Sequence, residues 1–217
     1  MVLFFTCISD PNIVIYMGKD KYENEELIKY AWPDLDVWFH VSDLSSAHVY
    51  LRVPEGVTSL KDIPDELVQE CAQLTKANSI EGCKKDRVGI NITWARNLKK
   101  TPGMETGAVT FHKPNEVLNI KIEKDATIVK ALMKTKREEY PDLRKSLEAH
   151  VADLKKREAM IEKQTFEAQK ALNKEKQAKE KEKRDFFAEQ DKMMHQQDEK
   201  EKAVKDEETG EMEDDFW

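Results

Sequence analysis

The chain has 217 residues, of which 39% are hydrophobic and 36% charged, and its formal net charge is −7 at pH 7. This composition is too polar for a uniformly globular protein, and the negative charge argues against indiscriminate binding of nucleic acid by the whole chain. No run approaches the roughly 20 apolar residues that span a bilayer, so any membrane association is expected to be peripheral.

The chain begins with a predicted β-hairpin followed by a helix. Residues 3–8 and 13–17 are β-branched and aromatic runs separated by the turn sequence Ser-Asp-Pro-Asn. The first run lacks the basic start and the cleavage site of a signal peptide, so it is interpreted as a strand. Gly18 ends the hairpin, and Asp20 and Glu23 have the spacing of a helix-capping pair. Pro33 is predicted to end this helix.

A second hairpin is predicted over residues 36–52, where apolar and polar residues alternate on both sides of a small polar turn. If Val41 faces Ala47, one buried face carries Val37, Phe39, Val49 and Leu51. The other face then carries three cross-strand pairs: Trp38 opposite Tyr50, His40 opposite His48, and Asp36 opposite Arg52. An open face of this kind can stack on bases and contact phosphates. A face covered by a helix is the alternative, which the pattern alone slightly favours.

The following elements predict an α+β domain with a largely antiparallel sheet. A helix is predicted to begin at Asp62-Ile63-Pro64 and to end before Gly82. Strands are predicted over residues 88–94, 107–111 and 117–122. The helices cluster between hairpins and do not alternate singly with strands, which is typical of an antiparallel sheet with packed helices. The domain is predicted over residues 1–124, with a helical connector over 125–141.

A long charged helix is predicted over residues 142–205, since no proline or glycine interrupts this segment. Its apolar positions form a short partial heptad seam: Leu147, Val151, Leu154, Ile161, Ala168 and Leu172. A stable homodimer needs such positions over several heptads, so weak or no self-association is expected. The helix is interpreted as an arm for a protein partner, with a mere spacer as the alternative. Residues 206–217 are interpreted as an acidic disordered tail.

The residues that carry chemistry favour a binding protein over an enzyme. The sequence has no Walker-type loop, nucleophile elbow or glycine-rich nucleotide fingerprint, so no catalytic residue and no cofactor are predicted. Two histidines, His40 and His48, rarely make a metal site by themselves. Three cysteines without short metal spacing indicate reduced thiols in a cytoplasmic or nuclear protein. Two lysine-bearing loops, 18–25 and 94–103, suit contact with phosphates, with helix capping and a solvated loop as the alternatives.

Four ordered motifs resemble the NFACT-R family, the RNA-binding domain of ribosome-quality-control NFACT proteins. The motifs are Gly18-Lys19-Asp20 followed by Asn24-Glu25, Asp36-Val37-Trp38-Phe39-His40, the turn into Ala47-His48-Val49, and Lys99-Lys100-x-x-Gly103 followed by Gly107. The resemblance covers residues 1–124, and the charged helix with its acidic end resembles a small-protein subgroup of the family. It implies binding of structured RNA, such as ribosomal or transfer RNA. The long N-terminal region of full NFACT proteins is missing from this sequence, so their peptide-tail synthesis is not expected.

The combined hypothesis is a non-enzymatic, cytoplasmic protein that binds structured RNA at the large ribosomal subunit, in translation or ribosome quality control. The predicted base-stacking residues are Trp38, Tyr50 and Trp94; His40, His48 and Arg52 are predicted to contact the backbone or base edges; Lys19, Lys21, Lys99 and Lys100 are predicted to neutralise phosphates. The other candidate nucleic-acid-binding residues are Asp20, Tyr22, Asn24, Glu25, Ser45, Ser46 and Arg96. Two alternatives remain open: a DNA-binding sensor or adaptor that uses the same surface, and a protein-interaction adaptor that acts through the helical arm and the tail.

Overall fold

The computed structural model describes the backbone of residues 1–210 and, within the last helix, the side chains up to residue 195 and that of Lys200. These residues form the predicted α+β fold, an antiparallel sheet with packed helices followed by a long charged helix. The chain divides into two units, Met1–Asp153 and Leu154–Trp217. The first unit therefore extends beyond residue 124, the predicted end of the domain.

Seven antiparallel strands form the main sheet: β1 Val2–Thr6, β2 Val14–Gly18, β3 Asp36–Val41, β4 Val49–Arg52, β5 Arg87–Trp94, β8 Leu118–Glu123 and β9 Arg137–Glu139. Two further strands, β6 Leu98–Lys99 and β7 Thr110–Phe111, pair separately. The order across the main sheet is β8-β5-β3-β4-β2-β1-β9. The helices are α1 Lys21–Tyr30, α2 Asp65–Ala77, α3 Ala126–Lys134 and α4 Leu143–Gly210.

Both predicted hairpins are present, and the second has the predicted register. Trp38 pairs with Tyr50, and Asp36 pairs with Arg52. Strand β5 joins the other edge of β3 and sets Asn91 opposite His40. Because side chains alternate between faces, Asn91 lies on the same face of the sheet as the aromatic and histidine residues of the hairpin.

The first face of the sheet forms the main hydrophobic core. Strands β3 and β4 contribute the predicted residues Val37, Phe39, Val49 and Leu51, all fully buried. Helix α2 packs on this face through Leu67, Cys71 and Leu74, and α3 adds Leu132. The strict alternation in the strands and the helical spacing in α2 thus supply two matching apolar surfaces.

The second face is covered at one end and polar at the other. Helix α1 and the segment from β6 to β7 cover Tyr16, Trp38 and Tyr50, with Leu27 and Leu98 packed against these rings. This is the covered arrangement that the alternation slightly favoured. Towards β5 and β8 the same face carries polar residues, and this end borders the site described below.

Three local features differ from the sequence predictions. The predicted strand over 107–111 is shortened to Thr110–Phe111, because Gly107 adopts a left-handed backbone with φ +85°. Helix α2 begins at Asp65, since Pro64 takes the capping position and a separate 3-10 turn precedes it. The connector over 125–141 contains α3 but also β9, which extends the sheet beside β1.

The second unit consists of the described part of α4 from Leu154 onwards. The prediction of a long helix over 142–205 is confirmed, and the helix continues to Gly210, into the predicted acidic tail. Residues 211–217 lie outside the described residues. One spaced ion pair joins Glu175 and Lys179 at 2.7 Å between Oε1 and Nζ. Across the described chain, no helix is long and apolar enough to cross a membrane.

Candidate nucleic-acid interface

A cleft of about 520 Å³ opens on the second face, beside the turn between β3 and β4. Helix α1, the histidines of the hairpin, its serine turn and the loop before β7 all contribute to its wall. The predicted site residues among the lining residues are Lys21, Asn24, Trp38, His40, Ser45, Ser46 and His48. The fold therefore brings residues of the first three motifs, with Gly107 after the fourth, to one place.

An aromatic and imidazole cluster forms the floor of this cleft. The Trp38 indole Nε1 donates a hydrogen bond to His48 Nδ1 at 3.0 Å. The His40 ring stacks parallel to Trp38, with ring centroids 5.2 Å apart, and meets His48 edge-on at 5.1 Å. Phe111 closes the cluster by an edge contact with Trp38 at 5.8 Å. These contacts fix the orientation of both imidazoles.

Both imidazoles are neutral near pH 7. Burial and, to a smaller extent, the neighbouring His40 lower the pKa of His48 to about 3, against a backbone hydrogen bond with Gly107. Burial also lowers the pKa of His40, against its hydrogen bond with the Val41 carbonyl. The histidines therefore add hydrogen-bonding groups to the cleft and no positive charge.

The hydrogen bonds also define the tautomers. Val41 O lies 2.8 Å from His40 Nδ1, and a carbonyl can only accept, so the His40 proton is on Nδ1. The partner of His48 Nδ1 is an indole N–H that can only donate, so the His48 proton is on Nε2. His40 Nε2 consequently carries a free lone pair, with no hydrogen-bond partner within the part of the chain that the structure describes.

Helix α1 supplies an amide to the cleft. Asp20 caps the helix as predicted, accepting hydrogen bonds from the Tyr22 and Glu23 amides at 2.8 and 3.2 Å. One turn later Asn24 is 7% exposed, and its buried Oδ1 has no hydrogen-bond partner. A Cβ at Gly18 would lie 2.5 Å from this oxygen, which explains why a glycine ends β2. Lys19, Lys21 and Tyr22 are exposed beside this helix end.

A salt bridge anchors the loop that closes the cleft. Lys100 Nζ donates to Glu25 Oε1, to Glu105 O at 2.7 Å and to Ala108 O at 2.9 Å, and the Gly107 amide donates to the same Glu25 oxygen. Burial raises the pKa of Glu25, but the hydrogen bonds from Lys100 and Gly107 outweigh it and hold this pKa below its usual range. All three donors of Lys100 are thus occupied within the protein, which argues against the predicted role of Lys100 in neutralising a phosphate.

Arg52 is likewise committed to the fold. Its Nε and Nη2 donate to the buried Asp36 carboxylate at 2.9 Å each, and its guanidinium lies 3.7 Å from the centre of the Trp32 ring. The hydroxyl of Tyr16 and the amide of Trp32 complete the shell around Asp36. Arg52 therefore positions the hairpin through Asp36, and its contact with nucleic acid stays a prediction.

The predicted stacking by three aromatic residues is wrong. Trp38 is 2% exposed, Tyr50 0% and Trp94 4%, so none presents a ring face to a base. Helix α1 and the β6–β7 segment cover Trp38 and Tyr50, whereas Trp94 is packed within the main core. Arg96 and Lys99 are exposed as predicted, with Arg96 over the edge of the core at 4.7 Å from the Trp94 ring centre.

The serine turn has divided roles. Ser46 Oγ accepts a hydrogen bond from the Val41 amide at 3.0 Å and donates to Ala47 O at 3.1 Å, so it holds the turn closed. Ser45 is exposed, and its carbonyl accepts from Ser79 Oγ at 2.6 Å. Their position in the cleft wall agrees with the predicted site, although the hydroxyl of Ser46 is already used.

Sequence reasoning missed a polar strip that continues from the cleft across β5 and β8. Asn91 Oδ1 accepts from Ser42 Oγ at 3.0 Å and from Asn119 Nδ2 at 2.8 Å. Gly89 leaves room for this network, since a Cβ there would lie 3.0 Å from Ser42 Oγ. If the alternation of the hairpin had been extended to β5, the strand that pairs with β3, it would have placed Asn91 beside His40.

The segment that builds this cleft matches a known family. The model of the NFACT protein RNA binding domain, NFACT-R, matches residues 1–113. The chain belongs to the NFACT-R family. The match contains every strand and loop that lines the cleft, so the site lies wholly within the family domain.

Relatives in sequence and a solved structure with the same fold were also found. Coiled-coil domain-containing protein 25 from Danio rerio is 54% identical over 145 residues, which cover 66% of this chain and 69% of that protein. The Rqc2 homolog RqcH from Bacillus subtilis is 28% identical over 127 residues, which cover 58% of this chain and 20% of RqcH. The C-terminal part of the fibronectin/fibrinogen-binding protein from Streptococcus suis has the same fold, with a TM-score of 0.50 and 22% identity, covering 59% of this chain and 48% of that one.

Proposed function

We propose that the chain is a non-enzymatic, cytoplasmic protein that binds structured RNA at the large ribosomal subunit, ribosomal or transfer RNA, in translation or ribosome quality control. The observation that carries this proposal is the convergence of the family motifs on one cleft of the NFACT-R domain. The relationship to an Rqc2 homolog supports the ribosomal context.

Exposed cations of the NFACT-R domain support contact with the RNA backbone. Lys19, Lys21, Arg96 and Lys99 are exposed and are not held by a carboxylate in any described hydrogen bond. Each cation that meets a phosphate releases a counterion, so several such contacts give an affinity that depends steeply on salt. The net charge of −7 belongs to the whole chain and does not prevent a local cationic surface.

The proposal is tested by filter binding of the full-length protein to transfer RNA and to fragments of large-subunit ribosomal RNA, at salt concentrations from about 50 to 200 mM. We expect affinity to fall with a log–log slope between about −3 and −4, because about four cations are available at slightly less than one counterion each. The control Lys176→Gln removes an exposed charge from α4 and should leave the slope unchanged. Absence of a salt slope would overturn the proposal. Tighter binding to matched DNA would favour the DNA-binding alternative instead.

A further inference from the structure

The cleft itself is poorly suited to phosphate. Its one lining lysine, Lys21, is opposed by the lining carboxylates of Asp43 and Glu105, and both histidines are neutral. Lys100 lies behind the wall and is neutralised by Glu25. A dianionic or monoanionic group inside would meet no net positive charge, whereas exposed lysines are available outside the cleft.

The cleft is instead suited to a flat, neutral and polar ring. Apolar wall atoms come from Leu44, Ala108, Val109 and Phe111. The polar groups are an unoccupied acceptor, His40 Nε2, and the amide of Asn24, which lines the cleft while its Oδ1 lies buried against Gly18. The free acceptor of His40 and the apolar wall therefore suit a ring that carries a hydrogen-bond donor at its edge.

We propose that the cleft receives one unpaired nucleobase of the bound RNA, whose polar edge pairs with His40 Nε2 and the Asn24 amide while its phosphates remain outside at the exposed lysines. Every RNA base carries a donor on its Watson–Crick edge that can meet an imidazole acceptor. That edge is free only when the base is unpaired, so the cleft selects bulged or looped nucleotides over continuous duplex. The volume of about 520 Å³ lies in the range of ligand pockets.

The contacts of the aromatic and imidazole cluster hold His40 with Nε2 as a hydrogen-bond acceptor. Its Nδ1 proton is held by Val41 O, and stacking on Trp38 prevents the ring from turning over freely. The indole in turn is fixed by its hydrogen bond to His48. The buried aromatic residues therefore position the acceptor and do not themselves stack on the base.

The experiment compares three RNA hairpins with the unmodified full-length protein: one fully paired, one with a single bulged adenosine, and one in which that bulge is an abasic nucleotide. The abasic hairpin keeps the backbone and its bend but lacks the base. We expect the bulged adenosine to bind about tenfold more tightly than either of the others, from two added hydrogen bonds and partial burial of the ring.

Two variants connect this preference to the cleft. His40→Phe keeps a ring against Trp38 but removes the acceptor, and should reduce the preference for the bulged adenosine by about two- to tenfold. The matched control is His112→Phe, at an exposed position outside the cleft, which should retain the preference.

The outcomes separate this inference from the function on which it rests. Equal binding of the bulged and abasic hairpins overturns the base site while leaving RNA binding intact. Failure to bind any of the three hairpins, together with transfer RNA, overturns the proposed function itself. Because the comparison of the hairpins needs no variant, it decides the question even if His40→Phe does not fold.

Discussion

Two adjacent lysines should respond in opposite ways to the same substitution. Lys99 and Lys100 are equivalent in the sequence, but Lys99 is exposed whereas Lys100 is bonded to Glu25 and to two loop carbonyls. We therefore expect Lys99→Gln to affect RNA binding and Lys100→Gln to affect stability.

The magnitudes follow from the contacts. Lys99→Gln removes one phosphate contact at most, so the salt slope should fall by about 1 with the unfolding free energy unchanged within about 0.5 kcal/mol. Lys100→Gln removes charged hydrogen bonds from side chains that are 26% and 30% exposed. After allowance for solvent screening, we expect a loss of about 2 kcal/mol, or about 4–8 °C in Tm.

The two variants are compared by urea denaturation and by RNA binding over a range of salt concentrations. Lys100→Gln loosens its loop, and any resulting loss of RNA affinity should leave the salt slope close to that of the wild type. A slope reduced by about 1 with unchanged stability would show that Lys100 contacts phosphate, and the reasoning from its hydrogen bonds would then be refuted.

Other substitutions test the buried polar groups. Asp36→Ala should cost about 3–5 kcal/mol in urea denaturation because it removes a buried carboxylate that accepts from Arg52, Tyr16 and Trp32. Glu123→Ala, in an exposed pair, should cost less than about 1 kcal/mol. Tyr16→Phe should cost about 1.5–3 kcal/mol because its hydroxyl donates to a carboxylate. Tyr50→Phe should be neutral or stabilising, since its buried hydroxyl has no partner; a loss as large as that at Tyr16 would contradict this. The folded pKa of His48, about 3, lies below its usual 6.5, so stability is complete above pH 6.5 and should fall by about 2 kcal/mol between pH 6.5 and 5, less so in His48→Gln.

The candidate site shows how far a strand pattern can be extrapolated. The alternation over residues 36–52 predicted which residues pair and which share a face, and the pairing of Trp38 with Tyr50 is confirmed. It did not predict exposure, because a sheet face has the same local sequence pattern whether solvent or α1 lies above it. The rings expected to stack on bases consequently form the floor beneath the cleft.

The long helix and the hairpins were predictable because their determinants are local. Uninterrupted helix-forming residues produce α4, and β-branched runs separated by turn residues produce β1 and β2. Strand β9 was missed because Arg137–Glu139 is charged and exposed, and it becomes a strand only by pairing with the edge of β1.

The sequence by itself determined the α+β class, the cap at Asp20, the register of the central hairpin and the family motifs, since each depends on residues that lie close together along the chain. Only the tertiary structure decided which polar groups are available to a ligand. Lys100 and Arg52 form ion pairs with Glu25 and Asp36, partners distant in sequence, while His40 keeps a free acceptor. The residues that fold around a side chain decide which of its donors and acceptors are already used. Only the remaining donors and acceptors can bind a ligand.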